Sequence, residues 1–264
     1  MLFRSVIIRP TTEEAVRLTA ELIADAIRQK PFFKLGLATG ATMEAVYADL
    51  AEMNKAGRVD FSRVHTFNLD EYIGLPPEDP NSYRYYMNKH LFSKINIDMR
   101  NTNLPDGLAG DEIAEGLRYE EAIEDAGGID LQLLGIGNDG HIGFNEPISS
   151  LGSRTRAKAL TPATYAQNSV YFNPPESMPK RAFTMGVGTI LDAERIVMLI
   201  TGAKKAGIAA KAIEGPVTSM VTGSAIQLHP NTVVILDEAA AAELTQTEYY
   251  KWVFDNEPKW EPYR

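Results

Sequence analysis

At 264 residues, with 44% hydrophobic and 23% charged side chains, the chain has apolar material for one large domain or two small ones, and no stretch of membrane-spanning length. A net charge of −9, from 26 Lys plus Arg against 35 Asp plus Glu, gives no support to a nucleic-acid surface, so an anionic small molecule needs a local basic pocket. The absence of cysteine excludes disulfides, thiolate zinc sites and a Cys nucleophile. Arg4 and Arg9 interrupt the apolar residues of Met1–Pro10, which are too short and too charged for a signal h-region; a cytoplasmic protein without a membrane partner is expected.

Val6-Ile7-Ile8 reads as a strand, and Pro10-Thr11-Thr12-Glu13-Glu14 supplies the cap and acidic first turn of a helix carrying Ala15, Leu18, Leu22, Ile23 and Ile27. Lys34–Ala38 is a second strand, broken by Thr39-Gly40-Ala41-Thr42 before a helix that ends at Gly57. Such a βα turn either offers helix amides to a phosphate or simply lets strand and helix meet closely. Val64–Leu69 is a third strand running into Asp70, an acid that either faces a ligand at the sheet edge or caps the next turn. A helix opens at Asn81-Ser82, with Tyr85, Tyr86, Leu91 and Phe92 expected in the core, and residues 111–126 make another with Ile113, Leu117 and Ile123 on one side.

Ile129–Ile136 is an almost wholly apolar run, as a parallel strand covered on both faces requires. Residues 148–180, rich in Ser, Thr, Asn and Pro, read either as a mobile lid or as an ordered surface excursion. Strand patterns resume at Ala182–Val187 and Arg195–Ile200. A helix then begins at Thr201–Lys205, whose lysines either serve an anion or are simply solvated. Thr232–Leu236 is a last strand, and the Ala-rich stretch from Asp237 is expected to open the last helix. The alternation predicts a single α/β domain over 1–264: a doubly wound, Rossmann-like, mostly parallel sheet with helices on both faces.

Candidate chemistry gathers after the apolar run, in Gly135-Ile136-Gly137-Asn138-Asp139-Gly140-His141-Ile142-Gly143-Phe144-Asn145-Glu146-Pro147. Glycines admit close backbone approach, while Asp, His and Glu move protons near neutral pH. One histidine with two carboxylates is also a possible hard-metal trio. His65, His90 and His229 stand in unrelated contexts, however, and no His-x₃-His spacing recurs, so proton transfer is the preferred reading and no metal is expected.

With these pieces placed, the chain resembles the glucosamine-6-phosphate deaminase family through nearly its whole length. The resemblance is carried by Phe67-Asn68-Leu69-Asp70-Glu71-Tyr72-Ile73-Gly74-Leu75-Pro76, by the Gly137–Pro147 stretch, by Ser153-Arg154-Thr155-Arg156 and by Gly186-Val187-Gly188-Thr189-Ile190-Leu191-Asp192. It implies an α/β fold, a phosphorylated aminohexose substrate, and no metal or organic cofactor. It further implies that Asp70 is the base for enolisation, that Asp139, His141 and Glu146 assist ring opening, and that Thr39, Gly40, Ala41, Thr42 and Lys205 bind the phosphate.

Some positions depart from the family pattern. Ala41 and Met43 occupy places where the family turn usually has Gly or Ser and then Pro, and Val170 stands where it commonly has a phosphate-gripping arginine. Ser149, Arg156 and Lys158 lie in a segment resembling an N-acetylglucosamine 6-phosphate effector site, with Ala159 in place of a threonine. Self-association, hexameric in some members, is left open. The competing expectations are lactone hydrolysis of the 6-phosphogluconolactonase kind, galactosamine 6-phosphate as substrate, and a non-catalytic sugar-phosphate sensor. Against the lactonase, Tyr72 replaces the arginine of its Asp-Glu-Arg segment.

Overall fold

In a computed structural model, which describes residues 5–30 and 32–264, the β-branched run at the start of the chain forms β1 (Ser5–Arg9). Met1–Arg4, part of the stretch weighed above as a signal, lie outside the described residues. Thr11 caps α1 (Thr12–Gln29) by accepting the Glu14 amide at 3.2 Å, and the apolar stripe expected from its spacing is buried from Ala15 to Ile27. The chain continues through β2 (Lys34–Leu37), α2 (Ala41–Lys55), β3 (His65–Asn68), β4 (Asp70–Tyr72), α3 (Tyr83–His90), β5 (Thr102–Asn103), α4 (Glu112–Asp125) and β6 (Leu131–Leu134). It then runs through β7 (Arg156–Ala159), α5 (Pro162–Asn168), β8 (Arg181–Thr184), α6 (Val187–Leu191), β9 (Ile196–Ile200), α7 (Ala206–Ile213), β10 (Thr232–Asp237) and α8 (Thr247–Asn256).

Seven strands form one parallel sheet in the order β1-β10-β9-β6-β2-β3-β5. Every residue of β6, β9 and β10 is buried, so this sheet is covered on both faces. From β2 the chain winds outward to β3 and β5, then returns across β2 to β6, β9 and β10. The reversal lies between β2 and β6, the place where open α/β sheets leave a crevice at their carboxyl ends. The Thr39–Thr42 turn leaves β2 there, and the Gly135–Pro147 stretch leaves β6.

Four sequence expectations are corrected. Asp70 does not cap a turn: it begins β4, which pairs with β8 in a separate antiparallel sheet of order β4-β8-β7. Ile113 and Leu117 are exposed at 78% and 67%, because α4 buries Gly116, Tyr119 and Ile123 instead. Gly116 turns that face inward, since a Cβ there would lie 2.6 Å from the Thr155 carbonyl oxygen; the helix rests on the backbone before β7. Tyr85 is 38% exposed, whereas Leu91 and Phe92 are buried as expected.

The Ala-rich stretch after Asp237 forms turns, and the last α-helix starts only at Thr247. The Asp237 carboxylate accepts the amides of Gly202 and Ala240 and the Thr12 hydroxyl, fixing a tight turn whose Ala240 and Ala241 pack inward. Tertiary anchoring there overrides alanine's helix propensity. Among the described residues no helix is long and apolar enough to cross a membrane.

Candidate active site

The stretch after β6 is folded by its own backbone: the Gly137 amide donates to the His141 carbonyl at 2.8 Å, and Gly140 to the Gly137 carbonyl at 3.1 Å. This tight loop brings Asp139, His141 and Glu146 together. His141 Nδ1 lies 2.6 Å from Asp139 Oδ1 and 3.5 Å from Glu146 Oε2. Glu146 is buried and held from behind by the Thr161 amide, 3.0 Å from Oε1. Neither ring nitrogen makes an aligned hydrogen bond among the described residues: Nδ1 faces the two carboxylates as an ion pair, and Nε2 stays available.

Burial alone would lower the His141 pKa, but Asp139 and Glu146 together outweigh it and raise the imidazole to about 9. Asp139 is held at about 2: burial acts upward, and the imidazole more than cancels it. Glu146 is lowered for the same reasons, with Thr164 and Thr161 also assisting. The set is thus an imidazolium between two carboxylates. Its ligand atoms lie within 4.8 Å of one another, so these residues have the spacing to hold a cation. Binding one would require the Nδ1 proton, which both carboxylates retain, to leave.

Asp70 reaches the same place from the second sheet. β4 pairs with β8 so that Thr184 stands opposite Asp70. Thr184 Oγ1 accepts the Phe144 amide at 3.0 Å and donates to the Met185 carbonyl at 3.1 Å, and that carbonyl also accepts Asn145 Nδ2 at 2.8 Å. The end of β8 therefore joins the strand of Asp70 to the loop of His141. The fit is close enough that a Cβ on Gly143 would lie 2.8 Å from Thr184 Oγ1 and 3.6 Å from Asp70 Oδ2. Asp70 is 5% exposed, and its Oδ1 has no hydrogen-bond partner among the described residues. Burial pushes its carboxyl up to about 8, Glu71 adds to the rise and His141 opposes it. A carboxylate so desolvated is a stronger base than an exposed one.

The anion-binding candidates occupy the neighbouring strand ends. Gly40, at φ 120°, caps α2 in a conformation closed to other residues, and its carbonyl is held by the Tyr86 hydroxyl at 2.8 Å. The amides of Ala41 and Thr42 begin a helix of 15 residues and carry its positive end. Lys205, before α7, sends Nζ to the Ile136 carbonyl at 2.8 Å and to Asn138 Oδ1 at 2.6 Å. Burial lowers its pKa and Asp139 opposes that. Thr39–Thr42, Ile136–Glu146 and Lys205 thus follow the adjacent strands β2, β6 and β9 at one edge of the sheet.

The remaining candidates lie beside this centre. Ser149 is buried behind Glu146, and its amide donates to the Glu146 carbonyl at 3.0 Å. Arg156, on β7, reaches Asn145 Oδ1 at 2.9 Å, and Lys158 follows two residues along that strand. Val170 is 70% exposed. Three partners lay beyond sequence reasoning: Thr184, which no local signal marks, Asn145, and Glu71, whose place beside Asp70 was the available clue. A separate groove of about 830 Å³ lies between α4 and β7. Arg181 pairs there with Glu112 at 2.6 Å, Arg154 with Asp192, and Glu120 accepts the Thr155 amide, so among the described residues no reactive set converges in the groove.

A family model described as glucosamine-6-phosphate isomerases/6-phosphogluconolactonase matches residues 10–235. A relative in Hahella chejuensis named glucosamine-6-phosphate deaminase is 50% identical over 248 residues, covering 94% of this chain and 95% of the relative. One of the same name in Thermoanaerobacter pseudethanolicus is 46% identical over 237 residues, covering 90% and 94%. A solved structure described as a monomeric glucosamine-6-phosphate deaminase superposes with a TM-score of 0.88 at 42% identity, covering 90% of this chain and 99% of that one. A 6-phosphogluconolactonase from Thermotoga maritima, at 21% identity and a TM-score of 0.69 over 89% and 99% of the two chains, shares the fold.

Proposed function

The chain belongs to the glucosamine-6-phosphate isomerase/6-phosphogluconolactonase family, and we propose that it converts glucosamine 6-phosphate and water to fructose 6-phosphate and ammonia. The observation that carries this reading is the joining of two unlike proton-transfer centres: the buried carboxylate of Asp70, whose Oδ1 has no hydrogen-bond partner among the described residues, and the Asp139–His141–Glu146 ion set. The near-half identity to relatives named deaminase supports it.

The pyranose must open before its nitrogen can leave. His141, oriented by Asp139 and Glu146, delivers a proton to the ring oxygen while the anomeric hydroxyl gives one up, leaving an aldehyde at C1. That carbonyl acidifies the C2 proton, which Asp70 removes and returns to C1. The amine-bearing C2 becomes an imine, water adds to it, and the C2–N bond breaks with ammonia leaving and a ketone remaining. Ala41 and Thr42 amides with Lys205 hold the phosphate meanwhile. The excursion around α5 is read as the cover of this centre: Phe172 meets the Tyr72 ring edge-on at 5.6 Å, and Asn168 donates to the Tyr72 hydroxyl at 3.1 Å. A sugar phosphate crosses no lipid bilayer unaided, which supports the expected cytoplasmic location.

Against lactone hydrolysis stand Tyr72, where the lactonase segment has an arginine, and the near-half identity to relatives named deaminase. The test is an assay in which glucosamine 6-phosphate yields ammonia and fructose 6-phosphate in equal amounts. No release at millimolar substrate, or faster turnover of 6-phosphogluconolactone, sinks the reading. Galactosamine 6-phosphate run in parallel decides the epimer, and calorimetric binding without ammonia release would favour a sensor. Asp70→Asn should stop C2 proton exchange and spare ring opening. Ser149, Arg156 and Lys158 form the candidate effector group: a sigmoidal rate curve straightened by N-acetylglucosamine 6-phosphate supports that assignment, and an indifferent hyperbola removes it.

A further inference from the structure

We propose that Glu71 is a positioning residue: it fastens the first turn of α3 to the strand that carries Asp70, and through α3 it holds the Thr39–Thr42 loop in register with that base. Glu71 is 3% exposed, and its carboxylate is occupied entirely by backbone. Oε1 accepts the amides of Tyr72 at 2.8 Å and Tyr83 at 2.9 Å, and Oε2 accepts the Arg84 amide at 2.9 Å. Tyr83 and Arg84 begin α3, and Ser82 Oγ takes the next amide, Tyr85, at 3.0 Å. Every leading amide of the helix is thereby satisfied, two of them by the residue adjacent to Asp70.

α3 passes this anchoring on. Three residues past its start, the Tyr86 hydroxyl donates to the Gly40 carbonyl at 2.8 Å, and the Tyr86 ring meets Tyr47 of α2 edge-on at 6.5 Å. The same carbonyl accepts the Met43 amide at 2.9 Å, so Tyr86 ties α3 to the point where the Ala41 and Thr42 amides begin α2. Nearer the base, Tyr83 stacks on Phe144 with centroids 6.0 Å apart. One buried carboxylate thus sets the distance between the base and the anion loop, a distance that a sugar phosphate must span between C2 and C6. Asp70 is faced by Glu71 and Tyr72 on β4, Tyr47 on α2, Tyr83 on α3, Tyr119 on α4 and His141; Arg84 faces Glu71.

The assignment rests on the deaminase reading for its turnover measurements only. Glu71→Ala should lower kcat/KM by about 10- to 100-fold, with kcat falling and KM rising together, because base and loop both drift. Glu71→Gln keeps the Oε1 acceptor and removes the charge beside Asp70. It should recover most of the KM, and the acid limb of its kcat/KM profile should move toward lower pH. Calorimetry with inorganic phosphate reads the loop without turnover: Glu71→Ala and Tyr86→Phe should both weaken binding, and Glu71→Gln less so. Where Glu71→Ala does not fold, the Gln and Phe variants carry the test. Wild-type phosphate affinity in every folded variant, together with an unmoved acid limb in Glu71→Gln, overturns the proposal. Absence of turnover by the wild-type protein with intact phosphate effects overturns the deaminase reading instead.

Discussion

His141 Nδ1 and Asp139 Oδ1 form an ion pair 2.6 Å apart in a loop where the His141 backbone amide donates to the same carboxylate oxygen at 3.2 Å. The pairing keeps the imidazole charged up to about pH 9. A ring-opening acid must be protonated, and a C2 base with a pKa near 8 must be ionised, so kcat/KM should rise through about pH 8 and fall through about pH 9. Asp139→Asn removes one of the two counter-charges, and its alkaline limb should move to lower pH while the acid limb stays. His141→Asn should lose about 10²–10⁴-fold in kcat. A profile flat across this range in the wild-type protein contradicts the assignment.

Asp70 should cost the fold what it gives the reaction. Its carboxyl ionises near 3.8 in an unfolded chain and near 8 in the folded one, so between those values the folded state holds the extra proton and stability falls as pH rises. His141 acts in the same sense over a higher window: its stabilising charge is fully present below about 6.5 and is lost as pH passes about 9. Asp139, lowered to about 2, contributes stability above its unfolded value that is lost as pH falls through about 2. Asp70→Asn should therefore be inactive yet more stable than the wild type above pH 8, by about 1–3 kcal/mol, with little difference near pH 4. Thermal melts at the two pH values measure this, and equal changes at both would show that charge burial is not the cause.

How much of this was legible in the sequence depended on whether the signal was local. β6, β9 and β10 are mostly apolar runs buried on both faces, and such runs announce themselves. In the sheet of β4, β8 and β7 only β8 was expected, as Ala182–Val187; β4 and β7 give no such signal, because strands of three or four residues such as Asp70-Glu71-Tyr72 exist through pairing with partners far along the chain. α4 misled for a different reason: the close approach allowed by Gly116 rotated its buried face away from Ile113 and Leu117. Within the site, Asp139, His141 and Glu146 stood out as a dense titratable cluster. The bridge from Asp70 through Thr184 to Phe144 was invisible, since a threonine at a strand end carries no pattern of its own.

Lys205 should divide binding from chemistry. Its ammonium is oriented by the Ile136 carbonyl and Asn138 Oδ1, the same loop that leads into Asp139. Lys205→Met keeps the stem and removes the charge, so KM for the phosphorylated sugar should rise by about 10- to 100-fold, the weight of one charge-assisted contact. The lost hydrogen bonds to the loop should add a smaller fall in kcat. Inorganic phosphate should inhibit the wild-type protein competitively and the variant much less. Unchanged phosphate inhibition would remove Lys205 from the anion site.

Gly137 offers a test aimed at the imidazole itself. A Cβ at this position would lie 2.3 Å from His141 Cε1 and 2.4 Å from Nε2, distances that no packed carbon tolerates. The ring rests on the Gly137 backbone, while the Gly137 amide fixes the His141 carbonyl at 2.8 Å from the other side. A methyl group must therefore displace the imidazole from its place beside Asp139 and Glu146, because the Gly137 backbone is held on both its amide and its carbonyl within the loop. Gly137→Ala should reduce kcat by about 10²-fold or more through misplacement of the proton donor. Since the displaced group is the end of a side chain that is 13% exposed, the stability loss should stay within about 1–3 kcal/mol. The uncoupled imidazole should titrate below 9, which proton NMR of the ring reads directly in the inactive protein. A variant that keeps both its turnover and the high imidazole pKa would show that the ring does not sit against Gly137 in solution.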